Sequence, residues 1–339
     1  MIYYNYMSNR LRSLNTFTMD DIALELGLSK STVSRALSGS GRISAETVRR
    51  VEECAKKHGF RPNLVARALA GQCTLNIAAV MPSESSAVQM MFFHECLLGM
   101  VSSAEKAGYS VLVCITEENC KNLETILLNR KVDAVVLTQL LHGDKNLELL
   151  KKADLPFVVI GSGAGGEIAQ VDSRMCENCA EFTKICASKV ESCGEVLFVC
   201  GSLDVEANNN RLSGFLSGME SLKKNSLKYA VCTDVFDFEN AKEVDNWNLI
   251  LCSDDIVCLK VLEKLKKANV KIGKKNMIAS FHDSILLEMA SPPVSAVRVD
   301  AYSLGSKACD EVIKLAGGEK ISGVNYIDCS FQFRESTDF

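Results

Sequence analysis

No apolar run in the 339 residues comes near the roughly 18 that a membrane span needs, and the opening MIYYNYMSNRLRSLN has no apolar core of the secretory kind. Both absences lead to the expectation of a soluble cytoplasmic protein with no membrane partner. Histidine is scarce: His58, His94, His142 and His282 are scattered and make no ligand spacing with the Cys176/Cys179 pair of CENC, so neither metal nor cofactor is expected. Acidic charge is what the first 73 residues lack, with 11 Lys/Arg against 6 Asp/Glu, while residues 74–339 hold 27 against 36. A head at +5 on a body at −9 implies that the head alone meets a polyanion.

Apolar residues make up 47% of the chain, enough for real cores, and its length suits two or three domains. Most of the 15 cysteines sit inside strand-like runs such as SVLVCI and VLFVCG, where a thiol behaves as a small hydrophobe, so the compartment reads as reducing.

From Thr18 the pattern predicts three short helices. Thr18 with Asp21 fits a capping pair, Gly27 an ending, Ser29 and Ser44 two further caps, and His58-Gly59 the last stop. Two helices across a tight glycine turn make a helix-turn-helix. The following RPNLVARALAGQCT is too short to hold as a helix alone and reads as a hinge. From Thr74 apolar strands alternate with amphipathic helices: LNIAAVMP, YSVLVCI, VDAVVLTQ, PFVVIGS, EVLFVCGS, KYAVCTDV, WNLILCSD and KNMIASF. Strands of this kind predict parallel sheets buried on both faces, here two doubly wound lobes.

The stretch TMDDIALELGLSKSTVSRALSGSGRISAETVRRVEECAKKHGFRPNLVARALAGQCTLNIAAVMP resembles the head, hinge and first strand of the lactose/galactose repressor (LacI/GalR) family. AGYSVLV, KVDAVVL, LPFVVI, RLSGF, SDDIVCL, PPVSAVR and FRES carry the likeness to the C-terminus. The resemblance implies an extension over 1–17, a helix-turn-helix domain over 18–60, a hinge helix over 61–73, and an effector and dimerisation domain over 74–339. That body is periplasmic-binding-protein-like, with lobe 1 at about 74–171 and 300–324 and lobe 2 at about 172–299 and 325–339. Since family heads start near Thr18, Met7 and Met19 are alternative starts to Met1, and Arg10 and Arg12 otherwise form a basic arm.

The stretch LSKSTVSRALSGS, Leu28 to Ser40, holds six hydroxyl side chains, a poor choice for a helix valued only for its own stability. In a head of this family that helix enters the major groove, where Ser31, Thr32 and Ser34 can reach phosphates or base edges. Lys30, Ser31 and Arg35 stand at the family's base-reading positions, and Arg35 can grip guanine with two hydrogen bonds. In the hinge, Leu69 matches the leucine wedged into the minor groove, with Asn63 and Ala66 lining it.

For the body, the resemblance implies an effector in the cleft between the lobes. Arg211 and Asp255 match ligand-binding positions and are expected to face each other from opposite lobes, with Phe92 and Phe238 at apolar ligand-facing positions. Two departures touch the cleft: the segment between Phe238 and Asp254 is short, and Gly161 stands where an acidic residue is common. The implied protein is a homodimer, or a tetramer of such dimers. It is a non-enzymatic repressor of a palindromic double-stranded operator, switched by a carbohydrate-like small ligand.

Alternative triggers are a protein partner or thiol oxidation. A dinucleotide-dependent oxidoreductase needs GSGAGG, with Gly161, Gly163 and Gly166, to open a helix, but it leads into the strand-like EIAQVD. A solute-binding transport protein needs a secretory signal and no basic head. The seven-residue recurrence of Cys179, Cys186 and Cys193 reads as a buried helix face.

Overall fold

The computed structural model describes residues 17–38, 43–60, 73–83, 87–116, 120–222, 226–233, 238 and 246–338. Contacts divide the chain into two units, 1–73 and 74–339.

Local capping accounts for the three helices of the head. The Thr18 hydroxyl accepts from the Asp21 amide, and the Asp21 carboxylate accepts from the Thr18 amide at 2.8 Å, so α1 (Met19–Leu26) begins on a capping box. Gly27 closes it at φ 64°, a conformation that costs glycine little. The Thr32 amide donates to Ser29 Oγ at 3.1 Å as α2 (Lys30–Ser38) starts, and the Thr47 amide donates to Ser44 Oγ at 3.2 Å at the head of α3 (Ala45–Lys57). A cap of this kind is worth about 1 kcal/mol. The helices then bury Ile22, Val33, Ala36, Val51, Cys54 and Ala55 in one shared core.

The body contains two sheets. In lobe 1, β1 (Asn76–Pro82), β2 (Ser110–Thr116), β3 (Ala134–Leu137), β4 (Phe157–Ile160), β5 (Ala169–Asp172) and β11 (Gly323–Tyr326) run parallel in the order β11-β5-β4-β3-β1-β2. In lobe 2, β6 (Glu195–Val199), β7 (Lys228–Cys232), β8 (Leu249–Cys252), β9 (Met277–Ser280), β10 (Ser295–Val299) and β12 (Cys329–Gln332) follow the order β12-β10-β9-β8-β6-β7. Among the described strands only β12 is antiparallel to its neighbour. Helices cover both faces, and apolar layers on each side of each sheet form the cores.

The chain passes between lobes after Asp172, at Asp300, and between Tyr326 and Cys329. The third passage falls later than the expected 325, because Asn325 and Tyr326 still pair with Val171 and Asp172.

Each lobe packs a helix pair backbone to backbone at glycine. In lobe 1, α4 (Ala87–Lys106) meets α11 (Ala301–Ala316), and a Cβ on Gly305 would run into the Cys96 carbonyl. In lobe 2, α7 (Met175–Ala187) meets α8 (Glu206–Ser221), and a Cβ on Gly214 would run into the Cys176 carbonyl. Cys179 and Cys186 lie buried on α7, whereas Cys193 does not join them. The helix stops at Ala187, and Cys193 is exposed in the turn before β6. The loop holding Gly161 and Gly163 leads into β5, not into a helix, which removes the basis of dinucleotide binding.

Candidate functional site

In the head, the buried side of α2 fixes which residues face out. Val33 and Ala36 point into the core, leaving Lys30, Ser31, Ser34 and Arg35 exposed, with Thr32 half-buried. Spacings of three and four residues put Ser31, Ser34 and Arg35 on neighbouring ridges of one outer face. The hydroxyls are partly engaged: Ser29 Oγ lies 2.8 Å from both Ser31 Oγ and Thr32 Oγ1. Lys30 Nζ donates to Asp20 Oδ2 at 2.7 Å across an exposed pair that water screens. Asn63, Ala66 and Leu69 lie outside the described residues.

In the body, loops and helix starts that follow the carboxyl ends of the strands line a cavity of about 140 Å³ between the lobes, the usual ligand position in open α/β sheets. Lobe 1 supplies Phe92 and Phe93 from α4, Thr138 to Leu140 after β3, Gly161 and Ser162 after β4, and Asp172. Lobe 2 supplies Asn208, Asn210 and Arg211 from α8, Asp254 and Asp255 at the start of α9 (Asp255–Lys267), and His282 after β9.

Arg211 Nη1 donates to Asn208 Oδ1 at 2.9 Å and stands 3.9 Å from Asp254 Oδ2. Asp254 is anchored from behind: its Oδ1 accepts from the Val257 amide at 2.9 Å and its Oδ2 from Ser253 Oγ at 3.0 Å. Asp255 Oδ1 is 3.4 Å from His282 Nδ1, and the Phe92 ring meets His282 edge-on at 5.3 Å. Arg211 Nε and Asp255 Oδ2 are buried and have no hydrogen-bond partner among the described residues.

Burial acts to raise the Asp255 carboxyl, but the hydrogen bond and charge of His282, with Ser284 and Arg211, hold it below its ordinary value. Asp172 goes the other way. Burial pushes it up, against hydrogen bonds from the Met175 amide and from Ser162.

The lobes touch beside the cavity. The His142 amide donates to the Asp204 carbonyl at 2.7 Å, the Glu206 amide to the Leu140 carbonyl at 3.0 Å, and Asn210 Nδ2 to Ser162 Oγ at 3.2 Å.

Three of the four expected cleft residues, Phe92, Arg211 and Asp255, line this cavity. Their arrangement differs from expectation. Arg211 and Asp255 both belong to lobe 2, because α8 and α9 follow the neighbouring strands β6 and β8, and the carboxylate next to Arg211 is that of Asp254. Phe238 is not at the cavity; it is buried in an apolar layer with Leu197, Val199, Ile250 and Val257. Sequence reasoning missed Asn208, Asn210, Asp254 and His282. ANNNR held a usable signal, since Asn208 precedes Arg211 by one helical turn.

Residues 18–63 match the family of bacterial regulatory proteins named lacI, and residues 191–337 match a periplasmic-binding-protein-like domain. Catabolite control protein A of Staphylococcus aureus is 28% identical over 326 residues, covering 92% of this chain and 96% of that protein. The lac repressor dimer, solved bound to operator and an anti-inducer, shares the fold with a TM-score of 0.74 at 19% identity, over 95% of this chain and 99% of that one. The transcriptional regulator CelR, solved with cellobiose, gives 0.67 at 20% identity, over 94% and 99%.

Proposed function

Because the chain belongs to the lacI family of bacterial regulatory proteins and is a DNA-binding transcription regulator, not an enzyme, we propose that it is a repressor that a small polar ligand switches. It binds a palindromic operator as a homodimer. Its ligand, a sugar or sugar derivative, occupies the cleft between the lobes.

One observation carries the ligand reading. Among the described residues, Arg211 Nε and Asp255 Oδ2 are a buried donor and a buried acceptor without partners, on two residues of the same cavity wall. A buried polar group left unpaired costs about 1–3 kcal/mol, and a hydroxyl-rich ligand can satisfy both kinds. A single water needs about 10–15 Å³ of such space, so 140 Å³ admits on the order of ten non-hydrogen atoms, the size of one monosaccharide. CelR, solved with a disaccharide, supports the ligand class.

Dimer formation is supported by a strip of exposed apolar side chains on lobe 1. Met90, Met91, Leu98 and Val101 are exposed on α4, and Leu112, Val113 and Ile115 are exposed on β2, the edge strand of its sheet. An apolar edge strand invites pairing unless something covers it, and a second copy of this chain can do so. Operator reading rests on Lys30, Ser31, Thr32, Ser34 and Arg35, with Asn63, Ala66 and Leu69 as minor-groove contacts. A trigger at the buried thiols fits poorly. Burial pushes Cys186 up to about 12 and Cys114, Cys200, Cys309 and Cys329 up to about 11, so those thiols stay protonated and unreactive.

The test is a thermal-shift screen of the full chain against monosaccharides, disaccharides, nucleosides and phosphosugars. A ligand at 100 times its Kd adds about 2.7 kcal/mol to the body's stability. A sugar that raises the melting temperature supports the reading; a response confined to nucleosides contradicts it.

A further inference from the structure

The head holds a cluster that DNA reading leaves unused. Glu25 on α1, Cys54 on α3 and His58 at the end of α3 each present one donor atom, and the three atoms lie within 4.8 Å of one another. His58 Nε2 is 2.8 Å from Glu25 Oε2, while Lys57 Nζ holds the other carboxylate oxygen at 3.0 Å. Cys54 and His58 are four residues apart and share one face of α3. The Phe17 ring stacks flat on the His58 imidazole, 4.0 Å between centroids and 8° between planes, which limits how the ring can turn.

An exposed Glu–Lys–His group alone contributes little and calls for no thiol. Here a thiol is present and is drawn into the cluster. Cys54 is buried, and its Sγ lies within 4.8 Å of the donor atoms of both Glu25 and His58. One sulfur, one imidazole nitrogen and one carboxylate oxygen, converging from two helices, match the donor set of a borderline-soft divalent ion. Magnesium and calcium prefer oxygen alone.

We propose that Glu25, Cys54 and His58 form a zinc-type metal site that fastens α1 to the last turn of α3. On binding, the Cys54 S–H bond breaks and its proton leaves to solvent. The thiolate, the neutral His58 Nε2 and one Glu25 oxygen each donate an electron pair to the ion. No redox change occurs, and a water completes a tetrahedral shell. Bonds of about 2.0–2.3 Å draw the three donors to within about 3.5 Å of one another. Zn²⁺ with a thiolate and a carboxylate is neutral overall, and Lys57 remains as an outer partner of Glu25. The site ties α1, which precedes α2, to the end of α3, which follows it, so metal supply sets how firmly the head is held together. Cys54 and His58 do not show as a pair when the histidines are compared only with Cys176 and Cys179.

The test uses the full chain, kept reduced, stripped of metal with a chelator and titrated with Co²⁺. Wild type is expected to show a thiolate-to-cobalt absorption that saturates at one equivalent and is displaced by Zn²⁺, with one proton released per ion. His58→Ala, an end-of-helix change that leaves the core thiol in place, should abolish the band, as should Cys54→Ala. Glu25→Gln should weaken binding at least tenfold, and Cys193→Ser should change nothing. Zn²⁺ should raise the melting temperature of wild type and not of His58→Ala, and Mg²⁺ should not replace it. No band in wild type, a band that survives both Cys54→Ala and His58→Ala, or an equal effect of Mg²⁺ would each overturn the proposal. None of these readouts depends on DNA or on the cleft ligand.

Discussion

Lobe 1 and lobe 2 repeat one strand order and one way of crossing helices at glycine, yet they line their shared cavity with different chemistry. Lobe 2 brings the charged and amide side chains Asn208, Asn210, Arg211, Asp254, Asp255 and His282, held in place by helix starts and by one another. Lobe 1 brings two phenylalanines, the uncharged polar side chains Thr138, Gln139 and Ser162, and a single carboxylate, Asp172. The lobe with fewer charged side chains at the cavity carries the exposed apolar residues of α4 and β2, and it is the lobe into whose first strand the chain runs from the head. The difference suggests a division of labour: lobe 2 captures, and lobe 1 responds. Helix α4 links the two ends of the response, since it presents Phe92 to the cavity and Leu98 and Val101 to the outside. A ligand that favours one setting of α4 shifts the population of lobe arrangements, by no more than its differential affinity for them.

The largest effect should separate the two phenylalanines that the sequence treated alike. Phe238→Ala should cost about 3–5 kcal/mol of stability, because it empties a buried core position, and leave ligand affinity unchanged. Phe92→Ala should do the reverse, weakening ligand binding with a smaller loss in melting temperature. Equal losses of affinity would erase the distinction. Second, Arg211→Ala should weaken ligand binding ten- to a hundredfold, the equivalent of a charged hydrogen bond worth about 1.5–3 kcal/mol, with calorimetric titration as the measurement. If Ser162→Ala in lobe 1 matches that loss, lobe 2 is not the capturing lobe.

Third, the shared helix crossing should make the lobes equally fragile. Gly305→Ala and Gly214→Ala should each lower stability by about 1–3 kcal/mol in thermal melts, since a methyl group has no room against the facing backbone. A large loss in one lobe only would break the symmetry. The smallest effects are in pH, and they carry opposite signs. Asp255 has a depressed pKa, so its stabilisation is present above the unfolded-state value and is lost as pH falls through the folded one. Asp255→Asn should flatten the acid limb of a stability–pH profile. Asp172 has a raised pKa, so its ionised form costs stability at neutral pH, and that cost disappears as pH falls through the raised value. Asp172→Asn should stabilise the ligand-free protein at pH 7.

Much of this architecture is legible in the sequence because it rests on local rules. The Thr18–Asp21 box, Gly27, Ser29 and Ser44 announce the head's helices, and eight apolar runs announce eight strands. Strands β10, β11 and β12 (SAVRV, GVNY and CSFQ) mix polar with apolar residues and are only partly buried, so no continuous apolar run marks them. In the cleft, Arg211 and Asp255 stood out as motif residues, but no spacing rule says which neighbour in space a side chain meets. That Arg211 lies beside Asp254 depends on β6 and β8 being adjacent strands, a fact of topology. His282 is invisible for the same reason: its partners Asp255 and Phe92 are 27 and 190 positions away and on different elements. Phe238 misled because its sequence position fits a cavity wall equally well as a core.

The central claim is that α2 reads DNA while the cleft between the lobes sets how tightly it does so. The most direct measurement takes a duplex recovered by the full chain from a randomised pool and follows its affinity by fluorescence anisotropy across a monosaccharide and disaccharide panel. The account predicts that the duplex has twofold symmetry, and that at least one sugar changes its affinity five- to 150-fold in wild type and leaves Arg211→Ala unmoved. A duplex without symmetry, or an affinity that every sugar changes equally in wild type and Arg211→Ala, would contradict it.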